Sequence, residues 1–169
     1  VSIQDAVTGA ETLLAQYRHN AFGHRIIKQL ADGRVVHFLY AHDRLVAEAI
    51  SESGQTPPAV TRRYLYGGLT PVGMITYPPD RPPQLYAVHA DLSGAPRMVT
   101  DAAQTPRWLA GYSPTGQAER VAGDLSFPLR LPGQYADEET GWHDNLLRTY
   151  AADLGQYLEP DPLGPLPGS

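Results

Sequence analysis

LRLPGQYADEETGWHDNLLRTYAADLGQYLEPDPLG, residues 129–164, is the stretch around which the rest of the chain is organised. Pro132-Gly133 and Thr140-Gly141 punctuate it, so residues 134–137 are expected to form a short strand between two turns. Asp161-Pro162-Leu163-Gly164 is a rigid turn signal that closes on Pro165, Pro167 and Gly168. Two separated acids, Asp137 and Asp161, stand one in each arm. Turn chemistry at this density favours short strands over helices.

The same bias runs through the whole chain. Sixteen Gly and sixteen Pro in 169 residues favour many turns. Ten Tyr with ample Leu and Val leave enough apolar surface for one ordinary domain with its own core. A formal charge of −5 argues against a dedicated nucleic-acid surface. Without Cys there is no disulfide framework and no thiol chemistry. No apolar run approaches the roughly 20 residues of a membrane-spanning helix. Val1 opens in mid-pattern, which reads as a piece of a longer protein.

Outward from the decisive stretch, the pattern is one of hairpins. Asn20-Ala21-Phe22-Gly23 and Asp32-Gly33 are turn signals, and RVVHFLY between 34 and 40 is a strand by its β-branched and aromatic content. Residues 44–50 and 61–66 repeat the plan across the polar loop 51–58, and 77–83 (YPPDRPP) is a loop between strands. Tyrosines recur at 17, 40, 64, 86, 112 and 135, steps of 22 to 26 residues that mark a repeat of strand pairs. Residues 1–14 admit two readings, a short helix weakened by Gly9 or two strands joined at Thr8-Gly9.

Arg130, Pro132-Gly133-Gln134-Tyr135, Asp137, Glu139-Thr140-Gly141, His143 and Asn145 keep fixed spacings. Arg148, Tyr150, Gly155, Tyr157-Leu158 and Pro160-Asp161-Pro162-Leu163-Gly164 follow in register. Together they resemble the end of the Rhs repeat-associated core of YD-repeat proteins, the Rhs and Tc-toxin C-component shells. Upstream, Tyr86, His89, Asp91, Gly94, Pro96-Arg97 and Thr100-Asp101 keep that family's pattern, and Trp108 to Gly116 does so with Thr115 where Phe is usual. Residues 17–45 resemble a degenerate YD repeat, with Arg18 and Ala41 at the acidic positions.

The resemblance implies an all-β protein: an antiparallel β-hairpin sheet that is a fragment of a hollow, cocoon-like shell. It implies repeat strands over 1–128, a core-end segment with a self-cleavage motif over 129–164, and over 165–169 the start of a linker to a C-terminal toxin domain. The implied partners are the rest of the shell, the enclosed toxin domain and a secretion-apparatus spike protein, with no nucleic acid and no membrane span. The implied setting is a bacterial effector, cytoplasmic before export by a route such as type VI secretion, or a cell-surface protein. No cofactor is implied.

In the family, aspartates matching Asp137 and Asp161 are an aspartic-protease-like pair that cuts just after the D-P-x-G-L turn. Two carboxylates held close cannot both ionise, so one keeps its proton and the pair can handle water and a carbonyl together. By spacing alone, two turn-forming aspartates would look the same. Arg148 is the supporting candidate, as partner to a carboxylate or as a surface arginine beside Tyr150. Glu138 and Glu139 stand next to Asp137, either as substitutes for it or as a solvated turn. The cut would fall around Gly164, Pro165 and Leu166, between Pro165 and Leu166. Pro165 stands where the family has Leu, Ala151-Ala152 replace its Asp-Pro, and Gln156 replaces Arg. His89, Asp91, His143 and Asp144 match no zinc spacing, so no metal site is assigned.

Overall fold

The computed structural model describes residues 2–4, 11–52, 57–162 and 164. Among these residues there is no helix, and the strands form three antiparallel sheets. The first pairs β1 (Ser2–Gln4) with β2 (Glu11–Leu13). Strands therefore replace the helical reading of this segment, while the expected joint at Thr8-Gly9 lies outside the described residues.

The second sheet has ten strands, each beside its neighbour in sequence. They are β3 (Ala15–His19), β4 (Arg25–Leu30), β5 (Val35–Ala41), β6 (Arg44–Ser51) and β7 (Ala59–Gly67), then β8 (Thr70–Thr76), β9 (Gln84–Ala90), β10 (Pro96–Thr100), β11 (Pro106–Tyr112) and β12 (Ala118–Ala122). The third sheet has the order β13 (Tyr135–Ala136), β14 (His143–Asn145), β15 (Arg148–Ala151), β16 (Gln156–Tyr157). The six periodic tyrosines fall on β3, β5, β7, β9, β11 and β13. Each is buried or half-buried, so the repeat unit is a pair of strands.

Local chemistry explains why the chain reverses where it does. Asn20 Oδ1 accepts the Phe22 and His24 amides at 2.9 and 3.0 Å. Asp91 Oδ1 accepts those of Ser93 and Ala95 at 2.9 and 3.2 Å, and Asp101 Oδ1 those of Ala103 and Thr105 at 3.0 Å each. Each side chain thus satisfies two amides that the turn leaves outside the ladder. The same plan puts Gly94 at φ +82°, where an added Cβ would also lie 3.1 Å from Pro132 Cγ. Arg18 lies opposite Ile27 in the ladder, and Asn20 closes the turn.

Two compact units divide the chain, Val1–Leu65 with Gly73–Tyr86, and Tyr66–Val72 with Ala87–Ser169. In the first, alternation buries Val36 and Phe38 from one face of β5, and Ala47, Ala49, Tyr64 and Met74 join them. Buried Glu48 accepts the Tyr64 hydroxyl and faces Arg62, so its charge is compensated. In the second unit, Val99, Trp108, Phe127, Leu129 and Tyr135 make the core, with the Trp108 and Phe127 rings 5.3 Å apart. The candidate site lies wholly within this second unit.

Candidate active site

Asp137 owes its place to two turns. Pro132-Gly133 folds the chain so that Gln134 N–H donates to Leu131 O at 2.8 Å and Arg130 N–H to Gln134 O at 3.1 Å. The segment then pairs as β13, with Tyr135 opposite Asp144 and Ala136 opposite His143. Asp137 continues that ladder by one rung, its N–H donating to Trp142 O at 2.8 Å, while its own carbonyl accepts the Gly141 amide. Gln134, Tyr135, Ala136 and Asp137 are all buried, and Asp137 is 3% exposed. Asp137 does not belong to a solvated acidic run, although Glu138 beside it is exposed and accepts the Ser126 hydroxyl at 2.5 Å.

Asp161 sits differently. Its side chain is 47% exposed and lies 3.3 Å from Arg148 Nη1. Arg148 also covers the Tyr157 ring at 3.7 Å, and Tyr157 OH accepts the Asn145 amide nitrogen at 2.7 Å. Strand pairing puts Asp137 just past one edge strand of the four-stranded sheet and Asp161 beyond the other. Pairing alone therefore does not join the two aspartates, and Asp161 is joined to Arg148 by their ion pair. Gly164 closes a turn on Asp161, its N–H donating to Asp161 O at 2.9 Å. Pro165 and Leu166, the expected cut, lie outside the described residues.

His143, one of the patterned residues, is buried beside Asp137. It is 3% exposed, its Nδ1 lies 2.9 Å from Gln134 Oε1, and its ring is tilted against Tyr150 at 6.1 Å. Burial first, then the Arg130 charge, lowers its pKa to about 4, against the opposing pull of Asp137. Arg130 is fixed there because Nη1 donates to Phe127 O and Leu129 O at 2.6 and 3.0 Å. The imidazole is therefore neutral at physiological pH.

This depression fixes a pH dependence. The unfolded chain takes up the His143 proton below its ordinary pKa of about 6.5, while the folded chain does so only near 4. Stability is thus full above that ordinary value and falls as the pH drops through the window between the two, by about 2 kcal/mol from about pH 7 to about pH 5. Asp91, held to about 2 first by the Ser93 hydroxyl and then by Arg97, titrates below that window. A urea midpoint that falls over this range in the native chain, and much less in His143→Asn, is the expected result.

Among the described residues no group of three or more His, Asp or Glu side chains is placed to hold a metal. His89 Nε2 instead lies 3.0 Å from Thr100 Oγ1.

No protein-family model matches the chain. It is 30% identical to the toxin protein Tse5 of Pseudomonas aeruginosa over 187 aligned residues, covering 90% of this chain and 14% of Tse5. It is 38% identical over 89 residues to the double-stranded DNA deaminase toxin A of Burkholderia cenocepacia, covering 50% of this chain and 6% of that protein. Among solved structures, the TcdB2–TccC3–TEV crystal structure superposes with a TM-score of 0.69 at 20% identity, over 99% of this chain and 8% of that one. The Photorhabdus luminescens Tc holotoxin pore, in a form with a TccC3 aspartate-to-alanine change, superposes at 0.64 and 19% identity, over 89% of this chain and 8% of its counterpart. The fold is the Rhs/Tc-toxin-related fold. The expected all-β, antiparallel class stands, and the chain spans only a small part of each of these relatives.

Proposed function

We propose that this chain is the C-terminal part of an Rhs/YD-repeat toxin shell, which encloses a C-terminal toxin domain and releases it by aspartic-protease-like self-cleavage. The observation that carries the reading is Asp137, a carboxylate 3% exposed on the same small sheet to which the segment bearing Asp161 is anchored. The toxin relatives and the shared fold support it. Residues 1–128 would supply shell strands, 129–164 the reacting segment, and 165–169 the start of the linker. One aspartate, ionised, takes a proton from water, whose oxygen attacks the carbonyl carbon of Pro165. The other, protonated, donates to the carbonyl oxygen. Collapse of the tetrahedral carbon breaks the bond to Leu166, whose nitrogen takes up a proton. The other partners in this reading are the remaining shell and a secretion-apparatus spike protein, and the place of action follows export from the bacterial cytoplasm.

The test is the intact mass of the longer parent protein with and without Asp161→Asn. Two fragments from the native parent and one uncut chain from the variant are expected.

A non-catalytic structural or cell-surface binding module is the rival, and two observations favour it. Asp161 is half-exposed and engaged by Arg148. Ala151 and Ala152, in place of an Asp-Pro pair, are both 0% exposed, so small apolar side chains stand where that pair would bring a carboxylate. A native parent that stays whole with both aspartates in place decides for this reading.

A further inference from the structure

The segment that leaves β16 is stitched to β15 by more than strand pairing. The regular ladder ends with Tyr150 opposite Tyr157, and Leu158 N–H adds one bond to Thr149 O at 2.9 Å. Beyond this point the backbone turns away towards Pro160, which has no N–H to offer. Glu159 replaces the missing backbone bond with its side chain. One carboxylate oxygen accepts the Thr149 amide at 2.6 Å and the other the Thr149 hydroxyl at 2.8 Å. Two residues farther on, Asp161 reaches Arg148 on the same strand, and Arg148 lies over the Tyr157 ring. The chain from 157 to 161 is thereby fixed to consecutive residues of one strand, Arg148, Thr149 and Tyr150.

We propose that Glu159 is a positioning residue for the scission described above: its bidentate hold on Thr149 sets the path along which the segment carrying Asp161 leaves the sheet. The inference rests on that reading. Charge-assisted bonds of this length are the strong class, and a carboxylate that accepts an N–H and an O–H together is fixed in direction as well as distance. A path fixed this close to Gly164 limits which following bond can be presented. An error of about 1 Å in presentation costs about a hundredfold in rate.

The experiment has two arms. In the 169-residue chain, Glu159→Gln is expected to speed amide hydrogen exchange at Thr149 about tenfold, because the amide of Gln can accept only one of the two bonds. Thr149→Val should loosen the Leu158 amide similarly, and Thr149→Ser, which keeps the hydroxyl, should match the native chain. In the parent protein, Glu159→Gln should slow self-cleavage about tenfold and spread the cut over more than one bond by mass spectrometry. Thr149→Ser should keep the native rate and the single cut. A change in cut position separates positioning from mere stability, which would alter the melting temperature and not the bond chosen. Native exchange at Thr149 in Glu159→Gln overturns the proposal, as does a native rate with a single cut in that variant. If the native parent is not cut at all, the protease reading fails and the positioning role falls with it, while the exchange arm still reports whether the Glu159 hold exists.

Discussion

Asp137→Asn in the parent protein is expected to reduce self-cleavage by a hundredfold or more, a loss of about 3 kcal/mol of barrier lowering, in line with general acid–base catalysis. The side chain changes hardly at all in shape, and the two backbone bonds of this residue, to Trp142 O and from Gly141 N–H, do not involve it. Those backbone bonds are therefore kept while proton transfer is lost. Asp161→Asn should have a similar effect on cleavage. It also breaks the ion pair with Arg148, but that carboxylate is 47% exposed and such pairs contribute about 1 kcal/mol or less. A hundredfold loss exceeds what the ion pair alone can supply, so it would report on chemistry. Pro165→Leu should act in the opposite direction and speed the cut. It removes the ring that fixes φ near −65° at the carbonyl under attack. Fragment masses followed over time in the three variants read all of this. Equal rates in Asp137→Asn and native protein would end the protease reading.

The hairpin plan was legible because its signals are local. Asn20, Asp32 and Asp91 announce turns through their own side chains, and the tyrosine period matches the placement of one such residue on every second strand. Residues 1–14 stayed ambiguous, since Ala6, Ala10, Leu13 and Leu14 satisfy a helical spacing loosely and only pairing between 2–4 and 11–13 resolves the choice. Asp137 and Arg148 stand in the pattern on which the resemblance rests, but the burial of Asp137 depends on β13 lying between the 128–129 segment and β14. A run of three acids, 137–139, gives no hint of which one points inward. His143 reads as one more patterned residue until Gln134 and Arg130 are seen around it. Glu159 had a signal available. Once Tyr150 and Tyr157 are paired, Thr149 falls opposite Leu158, and a carboxylate one residue on is within reach of a threonine.

The largest stability effect is expected at Gly123, just past β12. Its φ is +97°, and a Cβ placed on it would lie 2.1 Å from Arg107 O, 2.3 Å from Arg107 C and 2.7 Å from Trp108 N. All three atoms are backbone, so no side chain can swing aside. That backbone is pinned as well: Arg107 O accepts the Leu125 amide at 2.9 Å, and the Arg107 side chain grips Asp124 at 2.9 and 2.7 Å. Trp108, the next residue, is 3% exposed in the core. Gly123→Ala must therefore either push β11 off the core or open the β11–β12 pairing at Leu109 and Ala122. Either costs about 3 to 4 kcal/mol, the range of severe overpacking combined with backbone strain. For a chain of this length that corresponds to a melting temperature lower by about 10 °C. Gly141→Ala provides the comparison. Its φ is +72° but nothing lies within 4 Å of the added Cβ, so only the left-handed conformation is penalised, by about 1 kcal/mol. Thermal melts of the two variants should differ by at least about 5 °C. Equal melting temperatures for the two variants would show that the Gly123 backbone contact does not hold β12 to β11.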